Sequence, residues 1–265
     1  MRRMTPFLVL AFAAFGASCA EQPATKKTEK PGPSVAFVPA PPPPPVARPR
    51  ISWPLSAIGR VNRQGGGFCS GILVAPEKVL TTARCLWDVR LRRWTSTADL
   101  HFLAGYHLGE FLAHRKATAF ALPAGIRMTA RGVPLRIANN WAILTLDRPI
   151  GAESGVRPVG LARVGGRTRV DGLGPLLRAG YGPRRPHAIE SARCKAVGQY
   201  NHAVLFHDCG GGRTETGFPI LVETPAGWRV LGLQMVNVDQ AAARKGRGMA
   251  LLVTATDQPR QTISW

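Results

Sequence analysis

Acidic residues are scarce in this sequence. Only 15 Asp and Glu stand against 35 Lys and Arg, which gives a formal net charge of +20 at pH 7. Such an excess attracts polyanions through long-range electrostatics and the release of bound counterions. The sequence has no helix-turn-helix, zinc-finger or aromatic RNA-binding motif, which argues against a specific nucleic-acid partner. The remaining alternatives are a polyanionic envelope component, an anionic lipid surface, or a basic surface that is only solvated.

Long hydrophobic runs and helical patterns are also missing from most of the chain. After the N-terminal region no segment offers the ~20 uninterrupted apolar residues that a membrane helix needs. No internal repeat or long amphipathic helix is evident. Only 19% of the residues are charged, and 29 Gly and 23 Pro interrupt the sequence. This composition is typical of a turn-rich globular protein and unlike a helical bundle or a disordered chain.

Short apolar runs bounded by Gly, Pro, Asn and Asp follow one another after residue 51. They predict β-strands at closely spaced intervals. Because no helices alternate with them, the pattern favours an all-β barrel or sandwich. A Gly- and Pro-rich stretch over residues 151–166 predicts a linker between two halves. The clearest of these runs are residues 56–61, 71–74, 78–82, 141–146 and 230–235.

The N-terminus has the pattern of a secretory signal peptide over residues 1–20. Two arginines precede an apolar run over residues 6–17, and small residues end that run. Cys19 then stands where a bacterial lipoprotein would be acylated, although Gly16 replaces the usual aliphatic residue three positions earlier. Cleavage near Ala20 is the alternative. We therefore expect an exported protein that is periplasmic, anchored to the outer membrane through Cys19, or secreted.

A proline-rich segment follows the signal peptide. Residues 21–50 are polar and then rich in proline, with five consecutive prolines from Pro41 to Pro45. Such a composition favours extended polyproline II structure without a packed core. We predict that this segment is a disordered tether that precedes a folded domain over residues 51–265.

Four cysteines follow the tether. An even number in an exported chain indicates two disulfides, and four cysteines allow three pairings. Pairing of sequence neighbours joins Cys69 to Cys85 and Cys194 to Cys209, so that each bond stays within one half of the domain. A metal site is the alternative, but the chain has no short Cys-x-x-Cys pair. The sequence predicts neither a metal nor a cofactor.

Residues 53–86 resemble the first-barrel signature of trypsin-like serine proteases. In that family a Cys-x-Gly strand leads to Leu-Thr-Ala-Ala-His-Cys, and here the motif reads LTTARC over residues 80–85. Cys69, Gly71 and Cys85 set the register, so Arg84 takes the position of the catalytic histidine. The stretches HFLAGY (101–106) and AGYG (179–182) also resemble strands of the bacterial secreted branch of the family.

Two later motifs extend the resemblance to the other catalytic positions. NNWAILTLDRPI (139–150) is similar to the segment that carries the triad aspartate, and Asn140 occupies that place. HDCGGGRTETGFPILVE (207–223) is similar to the segment that carries Gly-Asp-Ser-Gly-x-Pro. There Thr214 replaces the first glycine, Glu215 the aspartate and Thr216 the nucleophilic serine.

The resemblance covers residues 51–255 and implies the family's fold. That fold consists of two six-stranded antiparallel β-barrels with the active-site cleft between them. We place the first barrel over about residues 51–150 and the second over about residues 166–265. A fold does not carry activity with it, so function depends on the substituted positions.

The substitutions remove the chemistry of the triad that the resemblance implies. Arg84 cannot act as a general base because its guanidinium stays protonated at any physiological pH. Asn140 lacks the negative charge that stabilises an imidazolium. Thr216 keeps a hydroxyl but adds a methyl group at a site shaped for serine. Thr214 is β-branched where glycine lets a backbone N–H face the oxyanion, so we expect a damaged oxyanion hole.

The six histidines offer no evident replacement base, and we interpret them as surface or structural residues. They are His101, His107, His114, His187, His202 and His207. The leading hypothesis is a catalytically inactive protease homologue that binds a protein or peptide ligand. One alternative is a hydrolase that uses Thr216 with an unidentified base. Another is a basic envelope-associated lipoprotein that acts through its charge and tether.

Overall fold

The computed structural model describes residues 51–151, 154–163, 172–200, 203–210, 215–235, 248–253 and 261–264. The chain divides into two units, Met1–Pro45 and Val46–Trp265, and every described residue belongs to the second. The predicted signal peptide, Cys19 and the tether lie outside the described residues. So do His202 and Thr214.

Strands dominate the described part of the chain. Its helical segments are short 3-10 turns at Leu55–Ala57, Ala83–Leu86, Thr97–Asp99 and Ile137–Asn139. The strands are β1 (Ile58–Arg63), β2 (Phe68–Ala75), β3 (Lys78–Thr81), β4 (Trp87–Asp88), β5 (Arg93–Trp94), β6 (Leu100–Ala104), β7 (Ala113–Leu122), β8 (Ala142–Leu146), β9 (Leu176–Gly180), β10 (Glu190–Cys194), β11 (Ala196–Tyr200), β12 (Val204–His207), β13 (Pro219–Thr224), β14 (Gly227–Met235), β15 (Gly248–Leu252) and β16 (Gln261–Ser264).

The first sheet closes into a barrel. Its strand order is β16-β7-β6-β1-β2-β3-β8, and an additional pairing of β7 with β8 joins six of these strands in a ring. All the pairings are antiparallel. Alternate residues of β6 point inward, and Phe102 packs with Phe120 and Leu144 in a fully buried core. Period-two burial of this kind is what a strand with one face on the core produces.

The second sheet has the order β10-β9-β13-β14-β15-β12-β11. Neighbouring strands are again antiparallel, and the described residues show no pairing between its two edge strands, β10 and β11. Strands β9 and β14 are almost wholly buried, as expected for strands covered on both faces. This sheet therefore forms a curled half-barrel.

A polar contact joins β2 of the first sheet to the residue that follows β9 in the second. The hydroxyl of Ser70 on β2 accepts a hydrogen bond from the backbone N–H of Tyr181 at 2.8 Å, and both residues are buried. A side chain at Gly180 would collide with the ring of Phe218 and with the Ser70 hydroxyl. Glycine at this position therefore lets the second sheet approach β2 closely.

The predicted all-β, two-barrel architecture is confirmed. The structure refines the expected count of six strands in each barrel, because the second sheet has seven strands and the first gains β16 as an extra edge strand. That last strand pairs with β7, so residues 261–264 lie on the first sheet although sequence order groups them with the second half.

No helix among the described residues has the length and apolar character required to cross a membrane.

Candidate functional site

Arg84 lies on the 3-10 turn Ala83–Leu86, directly after β3. Ala83 and Cys85 are buried on either side of it, whereas the Arg84 side chain is exposed. A disulfide from Cys85 to Cys69 on β2 fixes the turn to the barrel, with the Cα atoms 6.0 Å apart. The position that the sequence predicts for the general base therefore presents a solvated guanidinium.

Asn140 follows the 3-10 turn Ile137–Asn139 and precedes β8. Its side chain is buried, with 4% of its surface exposed. The side-chain oxygen accepts a hydrogen bond from the backbone N–H of Arg84 at 3.1 Å. The fold thus brings together two of the three predicted triad positions, 56 residues apart in sequence.

Thr216 lies in the turn that precedes β13, and its side chain is partly buried. The next residue, Gly217, has a φ of +93°, which glycine adopts without strain. A Cβ atom at Gly217 would lie 3.2 Å from the side chain of Thr82, two residues before Arg84. This close approach brings the turn that carries Thr216 against the segment that carries Arg84.

Glu215 has partners that sequence reasoning did not identify. Its carboxylate is 4% exposed and forms an ion pair with the buried guanidinium of Arg178 on β9. A second arginine, Arg184, donates from Nη2 to Oε1 of Glu215 at 3.0 Å and is 75% exposed. The signal in the sequence was an arginine within the apolar strand LLRAG, because a buried charge requires a partner.

Three of the described histidines have side-chain partners of their own, His101, His114 and His187. Nδ1 of His101 and Nε2 of His114 lie 2.8 Å apart, and the two rings stack. The desolvation of His114, reinforced by the nearby His101, lowers the pKa of His114. His187 shares a hydrogen bond of 2.7 Å with the hydroxyl of Tyr106.

His207 is fully buried on β12. Its Nδ1 accepts a hydrogen bond from the backbone N–H of Cys209 at 3.2 Å, which assigns the proton of the neutral ring to Nε2. Burial, reinforced by the positive charge of Arg178, lowers the pKa of His207 to about 4. The ring is therefore neutral at physiological pH, and its surroundings are those of a buried structural residue.

His207 also belongs to the one grouping of three potential metal ligands in the described part of the chain. Its ring nitrogen and the sulfurs of Cys194 and Cys209 lie within 4.8 Å of one another. The two cysteines form a disulfide with their Cα atoms 4.8 Å apart. Bonded sulfurs are not thiolates, so this arrangement leaves a single imidazole as a ligand.

The fold brings Arg84, Asn140 and the turn that carries Thr216 near one another where the two sheets meet. A model of the trypsin family matches residues 46–204. The chain belongs to the trypsin family. A solved structure of a Glu endopeptidase in complex with MPD has the same fold, with a TM-score of 0.57 and 17% identity. That similarity covers 77% of this chain and 87% of the endopeptidase chain.

Two curated relatives come from Phytophthora infestans. Glucanase inhibitor protein 3 is 32% identical over 93 residues, and glucanase inhibitor protein 4 is 31% identical over 90 residues. Each match covers 34% of this chain and 31% of the relative. The chain therefore spans about a third of the length of the curated relatives it matches.

The site has the scaffold of the trypsin family, and three residues occupy the positions that the sequence predicts for the triad. They present a guanidinium at Arg84, an amide at Asn140 and a secondary alcohol at Thr216. A guanidinium cannot accept the proton that a hydroxyl must lose to become a nucleophile. The described groups at these positions can donate and accept hydrogen bonds.

Proposed function

We propose that this trypsin-family protein is a catalytically silent homologue that acts by binding a protein or peptide partner. The observation that carries the proposal is Arg84 itself. A permanently charged, exposed guanidinium takes the place of the general base, next to Asn140 in place of the orienting acid. Without a base, the Thr216 hydroxyl remains a poor nucleophile.

The names of the curated relatives support a binding role. Both are called glucanase inhibitor proteins, so proteins with partial similarity to this chain are described as inhibitors. An inhibitor of an enzyme works by occupying its surface and requires no turnover of its own. We extend to this chain only the general mode of action, which is binding to another protein without turnover. The identity of that partner stays open.

Reaction with fluorophosphonates tests the loss of catalysis. Purified residues 51–265 should show no covalent label at Thr216 by intact mass and peptide mapping, and no hydrolysis of casein or peptide esters. An active trypsin in the same assay provides the positive control. Stoichiometric labelling of Thr216 would contradict the proposal and favour a hydrolase with an unidentified base.

We also propose that the protein is exported. The signal-peptide pattern over residues 1–20 and the two disulfides support this, because disulfides persist in oxidising compartments. Cys19 is the proposed acylation site, which would leave the domain in the periplasm at the outer membrane. Replacement of Cys19 by serine should shift the protein from the membrane to the soluble fraction. Unchanged fractionation would instead favour cleavage near Ala20 and a freely secreted or periplasmic protein.

A further inference from the structure

A short β-hairpin extends from the segment that carries Arg84. Strands β4 and β5 pair Trp87 with Trp94 and Asp88 with Arg93, and residues 89–92 connect them. The backbone N–H of Thr95 donates to the carbonyl of Leu86, which ties the end of the hairpin to the turn after Arg84. We call residues 87–94 the arginine hairpin.

The arginine hairpin has a strong excess of positive charge. Arg90, Arg92 and Arg93 are exposed, in addition to Arg84 just before the hairpin. Its single acid, Asp88, accepts hydrogen bonds from the backbone N–H groups of Leu91 and Arg90 at 3.0 and 2.8 Å. Its carboxylate thus shapes the connecting turn, and the three arginines outnumber it.

The same hairpin exposes large aliphatic side chains. Val89 is 48% exposed and Leu91 is 59% exposed. The neighbouring loop over residues 131–137 adds Leu135 and Ile137, which are 59% and 41% exposed. Large aliphatic residues exposed together on a soluble protein mark an interaction site more often than single ones do.

One contact joins the hairpin to this loop, and a second joins the segments that flank them. A Cβ atom at Gly132 would lie 2.8 Å from Val89 and 3.1 Å from the ring of Trp87, so the loop backbone packs directly on the hairpin. At the other end, Asn140 accepts the hydrogen bond from the N–H of Arg84. The loop contributes two more exposed arginines, Arg131 and Arg136.

A cavity of about 410 Å³ opens beside the hairpin. Trp87 and Trp94 contact each other edge to face, with their ring centroids 5.0 Å apart, and form its apolar wall. Arg92, Arg93 and Ser96 complete the lining. Such a cavity suits an apolar side chain whose neighbours carry carboxylates, because guanidinium groups bind carboxylates through paired hydrogen bonds.

We propose that the arginine hairpin and residues 131–137 form a docking surface for an acidic segment of a partner protein, with an apolar side chain of that segment in the Trp87–Trp94 cavity. The proposal rests on the binding role inferred above and names the surface and the chemistry of the partner. Arginine and aromatic residues are enriched at protein interfaces, and exposed aliphatics gain most from an apolar partner. A polysaccharide or a nucleic acid would match the arginines but leave Leu91 and Leu135 uncovered.

Binding probes of equal charge test this assignment. The first probe is a peptide with four repeats of Glu-Leu-Asp-Phe, and the second is polyglutamate of equal charge. Dextran sulfate and vesicles of phosphatidylglycerol represent anionic polysaccharides and lipid surfaces. The Leu/Phe-containing peptide should bind the purified full chain about tenfold more tightly than polyglutamate, and salt should weaken both interactions.

Matched variants distinguish the contribution of this surface to binding from that of the net charge of the protein. Arg90→Glu with Arg92→Glu and Arg93→Glu should weaken binding of the Leu/Phe-containing peptide by about tenfold or more. The control carries the same change in net charge on exposed residues elsewhere, Arg148→Glu, Arg163→Glu and Lys195→Glu, and should retain most of the affinity. Near-UV circular dichroism verifies that both variants are folded.

A second pair of variants tests the apolar contribution. Leu91→Ser with Leu135→Ser should abolish the advantage of the Leu/Phe-containing peptide over polyglutamate. Leu108→Ser with Val197→Ser removes two other exposed aliphatics and should preserve that advantage.

Several outcomes would overturn the docking surface. They are equal losses in the two charge variants, no binding of the Leu/Phe-containing peptide, or tighter binding of dextran sulfate or vesicles that depends on the same three arginines. The last result would assign the hairpin to a polysaccharide or a membrane. None of these outcomes affects the absence of fluorophosphonate labelling, so failure of this surface is distinguishable from failure of the proposed loss of catalysis.

Discussion

The side-chain oxygen of Asn140 accepts a hydrogen bond from the backbone N–H of Arg84 at 3.1 Å. The Asn140 amide thus holds the turn that carries Arg84 in place. A carboxylate could accept the same bond, so the contact is compatible with either residue type. If Asn140 stands at the triad acid, as the sequence predicts, the substitution removes the charge and preserves this contact.

Asn140→Leu should destabilise the domain by about 1–3 kcal/mol, because it leaves a partly buried backbone donor without its acceptor. Asn140→Asp preserves the acceptor and should cost much less. Equilibrium unfolding in urea measures both values. Equal destabilisation by the two variants would contradict the role assigned to this hydrogen bond.

Glu215, the residue before Thr216, forms a buried ion pair with Arg178. Glu215→Gln should cost about 3–5 kcal/mol of unfolding free energy, because it leaves the Arg178 guanidinium buried without a counterion. Arg184→Ala removes the exposed partner and should cost less than about 1 kcal/mol.

A double replacement measures the interaction between Arg178 and Glu215 separately from the contribution of each side chain. Arg178→Met with Glu215→Leu removes both buried charges. The loss of unfolding free energy in this double variant should be smaller than the sum of the losses in Arg178→Met and Glu215→Leu measured separately. If the losses add instead, the two side chains do not interact in the folded protein.

His207 should make the stability of the domain depend on pH. Its pKa is about 4 in the folded protein and near 6.5 when unfolded, so the unfolded chain binds more protons between these values. The free energy of unfolding should therefore decrease as the pH falls from about 6.5 towards 4, by up to about 3 kcal/mol. His207→Phe should flatten this part of the profile. An unchanged profile in His207→Phe would contradict the buried neutral ring.

The disulfides Cys69–Cys85 and Cys194–Cys209 each close a short loop, with sequence separations of 16 and 15 residues. Replacing either pair by alanine should lower the unfolding free energy by ~3 kcal/mol. Non-reducing peptide mapping should recover these two pairs from the unmodified protein. A bond between the first and second halves of the domain would contradict the structure.

The strands of the fold were predictable because their apolar runs are local. The run over residues 78–82 corresponds to β3 (Lys78–Thr81), and the run over 141–146 corresponds to β8 (Ala142–Leu146). The pairing of β16 with β7 was not predictable, because no local pattern records which sheet a distant strand joins. The seventh strand of the second sheet was missed for the same reason.

The candidate site was likewise predictable from the sequence only in part. Motif register predicted that Arg84, Asn140 and Thr216 correspond to the triad positions, because each motif contains its own cysteine, glycine or apolar markers. That correspondence stays a prediction, and the structure adds the hydrogen bond between Asn140 and the backbone of Arg84. The partner of Glu215 was missed because Arg178 is 37 residues away and only the sheet brings them together. The joining of the arginine hairpin to residues 131–137 also depends on tertiary packing, through Gly132.

Stepwise restoration of the triad tests the central claim most directly. Triad residues act as a unit, so Thr216→Ser alone should remain inactive towards peptide esters and fluorophosphonates. Arg84→His, Asn140→Asp and Thr216→Ser together rebuild the base, the acid and the nucleophile. An oxyanion-hole donor contributes ~10²- to 10³-fold in rate, so measurable ester hydrolysis is expected when Thr214→Gly is added to these three. The measurement is the rate of ester hydrolysis by the single and the fourfold variants. The account predicts turnover by the fourfold variant only, and equal activity of the two would contradict it, because the base would then lie elsewhere than at residue 84.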